Sequence, residues 1–146
     1  MERQESIADE VYLFPQGIPG FEAMREFRLV RDEEAPLAQL VSVEDEGIGF
    51  ILIRPETFLD EYEFGIDEES EEVLNLEEKD IMLEVWNILT LCSDVTKTTV
   101  NLQAPVCFNL TKKIGLQIIL EDDSYNLRYP LVKHEAGNET GEGAVG

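Results

Sequence analysis

Histidine occurs once in this 146-residue chain, tryptophan once and cysteine twice, and basic residues are scarce, with 11 Lys and Arg against 32 Asp and Glu. Each shortage excludes something. With His134 as the lone imidazole, an ordinary Ser-His-Asp or Cys-His nucleophilic pair cannot be assembled unless that residue folds back on the domain. Two cysteines and one histidine make a poor zinc set. Cys92 and Cys107 are no disulfide framework either, and their strand-like surroundings suit small buried thiols of a reducing compartment. Neither a GxxxxGK[ST] nor a GxGxxG element is present to cradle a phosphate. Acidic clusters at 67–70 and 121–124 lack the D-x-[DN]-x-[DN]-G pattern of a calcium loop. A carboxylate-dependent enzyme, such as a glycosidase, is not excluded by residue type, but among so many acids nothing singles out a working pair.

The deficit of positive charge leaves a formal net charge of −21 and a pI near 4.1. Phosphate backbones are bound by clustered Lys and Arg, so direct nucleic-acid binding is excluded, and an anionic membrane surface repels the chain for the same reason. No apolar stretch approaches the ~20 residues of a membrane span, and MERQESIADE has no apolar core for a signal peptide. The expected compartment is the cytoplasm. Such a field either keeps the protein soluble or favours a basic partner protein, since complementary potentials speed encounter and reject wrong partners.

What is present is material for a core: 43% hydrophobic residues, with seven Phe and four Tyr. A single domain of this length buries roughly 70% of the surface its unfolded chain exposes. Short apolar runs alternate with turns. The run 11–14 closes on Pro15-Gln16-Gly17-Ile18-Pro19-Gly20, the stretch 21–26 suits one helical turn, and 28–31 returns to strand. In 37–43, Leu37, Val41 and Val43 share a face with Gln39, opposite Ser42, so a buried Gln39 would need a hydrogen-bond partner. Glu44-Asp45-Glu46-Gly47 reads as a hairpin turn into 48–54, ended by Pro55.

Acids crowd 56–80, opposed only by Lys79. Within that run Asp67 suits a helix cap, with Glu68 and Glu69 at the positive end of the dipole and Val73, Leu74 and Leu76 as an apolar edge. The run is either a solvated face or a surface that steers a partner. A long strand over 81–92 is apolar on both faces apart from Asn87, as expected at the centre of a curved sheet. Strands over 98–103, 106–110 and 115–120 turn Val100 and Leu102, then Val106, Phe108 and Leu110, then Leu116, Ile118 and Leu120 inward. Turns spaced by roughly 8–12 residues predict a mainly β fold: a single-domain antiparallel β-barrel-like structure with one or two short helices. The domain spans 1–132, and 133–146 is a polar, Gly-rich stretch expected to be a disordered tail.

Two blocks are more specific than this pattern. Phe14-Pro15-Gln16-Gly17-Ile18-Pro19-Gly20-Phe21-Glu22 resembles the F-P-x-G-[IL]-x-G-F-E signature of the flagellar assembly factor family FliW. Asn101-Leu102-Gln103-Ala104-Pro105-Val106-Cys107-Phe108-Asn109 resembles that family's N-L-x-A-P-[IV]-x-[IVF]-N segment. Gly115-Leu116-Gln117 resembles its later G-x-Q, and Tyr125, Arg128 and Pro130-Leu131 its closing stretch. The resemblance runs from 11 to about 132 and departs at the start, where family members add an alternating strand and MERQESIADE is too polar to read as one. It implies a small barrel-like protein, monomeric when free, with no catalysis and no cofactor. It also implies two protein partners: CsrA, a dimeric RNA-binding repressor of flagellin translation, and flagellin itself. A flagellin-specific chaperone that never meets CsrA is the alternative within the same resemblance.

Most motif residues read as structural. Gly17 and Gly20 permit turn conformations, Pro15, Pro19 and Pro105 stiffen the chain, and Phe14 and Phe108 belong in a core. Phe21 is open between core and exposed anchor. Asn101 and Gln103 lie opposite Val100 and Leu102, and Asn109 and Gln117 lie off the inward faces of their strands. Such amides either satisfy nearby backbone or meet a partner. Phe21, Glu22, Asn101, Gln103, Pro105, Asn109 and Gln117 are therefore the expected partner-binding set.

Overall fold

A computed structural model describes residues 9–32, 36–78, 80–121 and 124–131; the tail expected over 133–146 and the first eight residues lie outside it. The strands are β1 (Asp9–Leu13), β2 (Glu26–Arg31), β3 (Leu37–Ser42), β4 (Gly49–Ile53), β5 (Leu83–Thr90), β6 (Thr99–Val100), β7 (Val106–Asn109), β8 (Ile114–Gln117) and β9 (Tyr129–Pro130), with one α-helix, α1 (Glu68–Val73). Seven of them close into a barrel in the order β1-β2-β3-β4-β5-β7-β8. The long strand β5 makes this possible: residues 83–86 pair with β7, 87–89 pair with β4 on the other edge, and its end carries β6 and then β9.

Every pairing in the barrel is antiparallel except the closure, where β1 meets β8 in parallel at the single pair Leu13↔Ile114. Side chains compensate for that thin seam. Tyr12, Phe14, Phe27, Leu29, Leu40, Leu52, Trp86, Val106 and Phe108 fill the interior and are fully or almost fully buried. Their rings meet edge-on, Tyr12 with Phe108 at 5.0 Å, Phe14 with Phe27 at 5.1 Å and Phe14 with Phe108 at 5.8 Å. Each such pair adds about 0.5–1.5 kcal/mol beyond area burial. Gly115 of β8 lies directly against this cluster, and a Cβ there would stand 2.4 Å from the Phe14 ring.

The acidic middle of the chain is a strap across the outside of the barrel. Phe58, Leu59, Tyr62, Phe64, Ile66, Val73, Leu74 and Leu76 pack down on the outer faces of β5, β7 and β8. Between them Glu56, Asp60, Glu61, Glu63, Asp67, Glu68, Glu69, Glu71 and Glu72 all face solvent. Asp67 does precede α1, but its carboxylate accepts a hydrogen bond from the Ser70 hydroxyl and not from a backbone N–H.

The structure corrects several local expectations. The stretch 21–26 is not helical: Phe21 bridges back to Ile18, donating its N–H to the Ile18 carbonyl at 2.6 Å, and Glu26 already begins β2. In β3 the inward residues are Ala38, Leu40 and Ser42, the opposite phase, and Gln39 is exposed and needs no partner. Burial of Ser42 is tolerated because its hydroxyl accepts the Asp45 N–H at 3.1 Å in the following turn. The polar start does enter a strand, because Glu10 of β1 has partners in Lys113 at 3.1 Å and Arg31 at 3.8 Å. The strand expected over 98–103 is only two residues long, since the chain turns at Asn101.

One charge cluster bears on stability. Glu84 of β5, 14% exposed, receives Arg31 at 2.8 Å, Arg54 at 3.0 Å and the Trp86 Nε1–H at 2.9 Å, with both guanidinium groups also lying over the Trp86 ring. Burial opposes ionisation of Glu84, but hydrogen bonds from Arg31 and Trp86 and the charges of Arg31 and Arg54 outweigh it and hold the carboxyl below its ordinary value. A carboxyl with a depressed folded-state pKa stabilises fully above the unfolded value near 4.5 and loses that contribution as pH falls through the folded value.

Two outcomes are expected in denaturant titrations. Gly115→Ala destabilises by about 1–3 kcal/mol through overpacking against Phe14. Glu84→Gln destabilises by about 1.5–3 kcal/mol at pH 7, and its difference from the parent shrinks as pH falls below about 4.5, where the unfolded parent takes up a proton, and is lost once the folded carboxyl, held lower, is protonated as well.

Candidate functional site

The loop after β1 is built to hold a fixed shape. Gly17 sits at φ +66° and its N–H closes a turn to the Phe14 carbonyl at 2.9 Å. A Cβ at Gly17 would also meet the Glu22 backbone at 2.7 Å, so two constraints select glycine. Gly20, at φ +91°, donates its N–H to the Glu22 carboxylate at 3.1 Å. Arg25 ties the loop's ends together, giving Nη1–H to the Pro15 carbonyl and Nε–H to the Glu22 carbonyl, each at 2.9 Å. Ile18 plugs the barrel end, and Phe21 stands half-buried with its ring edge-on to Phe50 at 5.5 Å.

The second block turns beside it. The Asn101 side-chain oxygen accepts the N–H groups of Gln103 and Ala104, both at 3.0 Å, which replaces the strand ladder by a turn. The Gln117 amide donates to the Ala104 carbonyl at 3.0 Å and ties β8 to that turn. Together the blocks form one concave face of about 310 Å³, lined by Ile18, Pro19, Phe50, Asn101, Gln103, Gln117, Ile119 and Leu127 among others. Ile119 and Leu127 are 64% and 53% exposed. On the far side of Pro19, Gln117 and Ile119 lies a second groove of about 370 Å³, walled by Gln16, Gly17 and Glu22 on one side and Asp67, Glu69, Ser70 and Val73 of the strap on the other.

Of the expected binding residues, Asn101, Gln103 and Gln117 thus share one wall of the concave face. Phe21 meets Phe50, which lines the same face, edge-on, and Glu22 borders the adjoining groove. Pro105 and Asn109 do not reach the surface. Asn109 is fully buried, donating to the Leu74 carbonyl at 2.6 Å and accepting the N–H groups of Thr111 and Lys112 at 3.0 Å; it fastens the end of α1 to the β7–β8 turn. Ile119 and Leu127 were missing from the expected set. Alternation with Leu116, Ile118 and Leu120 does leave Ile119 pointing away from the strap, but nothing local marks Leu127.

The chemistry of the face is that of contact. No group of three or more His, Cys, Asp or Glu is placed to hold a metal among the described residues. Hydrogen bonding from the Gly20 N–H lowers the pKa of Glu22, and the Ser70 hydroxyl lowers that of Asp67. Glu10 is also held low, its hydrogen bonds to Tyr12 and Lys113 and the Lys113 charge outweighing burial. With Glu84 these all move in the same direction, whereas an acid–base pair needs two carboxyls pushed apart. Burial pushes the Cys107 thiol up to about 12, which makes it inert.

A family model described as FliW protein matches residues 1–131. A flagellar assembly factor FliW from Clostridium botulinum (strain Langeland) is 43% identical over 132 residues, covering 87% of this chain and 89% of the relative. One from Caldicellulosiruptor saccharolyticus is 35% identical over 130 residues, covering 89% and 85%. A crystal structure of the flagellar assembly factor FliW superposes with a TM-score of 0.78 at 33% identity, over 91% of each chain.

Because the Asn101 side chain caps two backbone N–H groups, Asn101→Ala is expected to cost about 1–2 kcal/mol in a denaturant titration, so that lost binding in that variant reports the fold as well as the face.

Proposed function

This chain belongs to the FliW family of flagellar assembly factors, and we propose that it works by holding two proteins in turn, CsrA and flagellin. It is an assembly factor and not an enzyme. No helix among the described residues is long and apolar enough to cross a membrane. In the proposed cycle the protein acts in the cytoplasm as a free monomer. It binds CsrA and keeps that repressor from the flagellin message; flagellin, when it accumulates, takes the place of CsrA, and export of flagellin reverses the exchange.

The observation that carries this reading is the meeting of three separate sequence blocks, around Pro19, Gln103 and Gln117, on a single concave face with exposed Ile119 and Leu127. Apolar side chains left in solvent beside fixed amides suit the core of a protein interface, where a few well-placed contacts dominate the energy. The surrounding charge fits the partner. An RNA-binding protein must carry basic surface, and a −21 chain attracts it at a distance while repelling the RNA it would otherwise bind.

Ile119→Asp and Leu127→Asp test it directly. Being exposed, both changes are expected to leave thermal stability within about 0.5 kcal/mol of the parent. Affinity for CsrA or flagellin, measured by calorimetry, is expected to fall by at least about 30-fold, or about 2 kcal/mol. Unchanged affinity in both folded variants would remove this face from the interface. Added salt is expected to slow association with CsrA more than it speeds dissociation.

A further inference from the structure

Strand β8 has an edge that the barrel does not use. Its ladder with β7 continues past the ends of both strands and takes up alternate backbone groups: the Ile118 N–H donates to the Pro105 carbonyl at 2.9 Å, and the Leu120 N–H to the Gln103 carbonyl at 2.8 Å. In an antiparallel ladder the residues between those point their N–H and C=O groups the other way. Gly115, Gln117 and Ile119 therefore face away from β7. On that side β1 meets β8 only at Leu13↔Ile114 and then leaves through Pro15.

Before that bridge the seam is covered by side chains, with Lys113 bonded to Glu10 at 3.1 Å and lying 5.3 Å from the Tyr12 ring centre. After it, among the described residues, no strand pairs with the outer edge of Gln117. That edge is the floor of the 370 Å³ groove between the Gln16–Gly17 turn and the strap. Exposed carboxylates stand on both walls, Glu22 on the turn and Asp67 and Glu69 on the strap.

We propose that an extended, lysine- or arginine-bearing segment of a partner protein adds to β8 in this groove as a further strand, its backbone pairing with Gln117 and Ile119 and its basic side chains meeting Glu22, Asp67 and Glu69. Open strand edges are ready templates for such addition, in which backbone hydrogen bonds supply affinity and the walls supply selectivity. A second copy of this chain is disfavoured as the occupant, because it would bring another −21 of charge against the same acids. The proposal rests on the reading of the protein as a holder of partners and specifies how one of them is held.

The test uses the whole chain and an alternating valine–lysine decapeptide, with an alternating valine–glutamate decapeptide as control, and follows amide exchange by NMR. At saturation the lysine peptide is expected to slow exchange at Gln117 and Ile119 by at least tenfold, and the glutamate peptide to leave both unchanged. Gln117→Ala and Gln117→Pro both lose the side-chain bond to the Ala104 carbonyl, and the proline variant loses in addition only the outward N–H, which an edge strand tolerates; Gln117→Pro is expected to abolish this binding while Gln117→Ala keeps it. Absence of lysine-peptide binding, binding that leaves both amides unprotected, or protection that rises with protein concentration alone would overturn the proposal. If the Ile119 and Leu127 variants lose CsrA or flagellin while the peptide experiment fails, the strand mode alone is wrong. If the peptide protects β8 while neither protein binds, the partner assignment alone is wrong.

Discussion

The Phe14 ring lying on Gly115 is the contact on which the rest of this molecule depends. A seven-stranded barrel joined at its seam by one parallel backbone pair has little hydrogen bonding to hold it closed there. Closure is left to packing, and the packing works because β8 offers no side chain at Gly115, so that Phe14 can lie against its backbone and also reach Phe27 and Phe108. The same contact sets the distance between the loop after β1 and the end of β8. The concave face and the acid-walled groove, which share Pro19, Gln117 and Ile119, both follow from that spacing.

Much of this was readable from residue order. The glycines of the first block, the buried Phe14 and Phe108, the two-faced long strand and the closed, mainly β fold all follow from patterns that local chemistry imposes. What could not be read was whatever depends on distant residues. Ser42 faces inward because Asp45 satisfies its hydroxyl, so the apolar alternation of β3 gave the wrong phase. Alternation with Val106, Phe108 and Leu110 put Asn109 off the inward face of its strand and open to a partner, yet that face is covered by the strap, and Asn109 sits buried where the Leu74 carbonyl and two turn N–H groups occupy it. The polar MERQESIADE made the chain's start look unfit for a strand, since the partners of Glu10 lie far along the chain, Arg31 on β2 and Lys113 in the turn before β8. The site was half legible: the amides of Asn101, Gln103 and Gln117 came from motif spacing, whereas the apolar contribution of Phe50 and Leu127 arises only when β4 and the segment before β9 are folded against them.

The acidic run illustrates how one sequence feature serves two physical ends. Its apolar residues cover the outer faces of β5, β7 and β8 and so complete the core, while its carboxylates stay in water and are available to set the field around the molecule. Individually such exposed charges contribute little to affinity, and salt screens them. Their collective effect is on encounter and on the choice of partner, which suits a protein whose proposed task is to exchange one protein for another.

That exchange is the central claim, and competition tests it most directly. A titration of the purified protein with CsrA, repeated with flagellin present and with a CsrA target RNA, measures all three contacts together. CsrA is expected to bind, flagellin to displace it, and CsrA held by this protein to have lowered affinity for the RNA. Simultaneous binding of CsrA and flagellin, or undiminished RNA affinity of the bound CsrA, would contradict it.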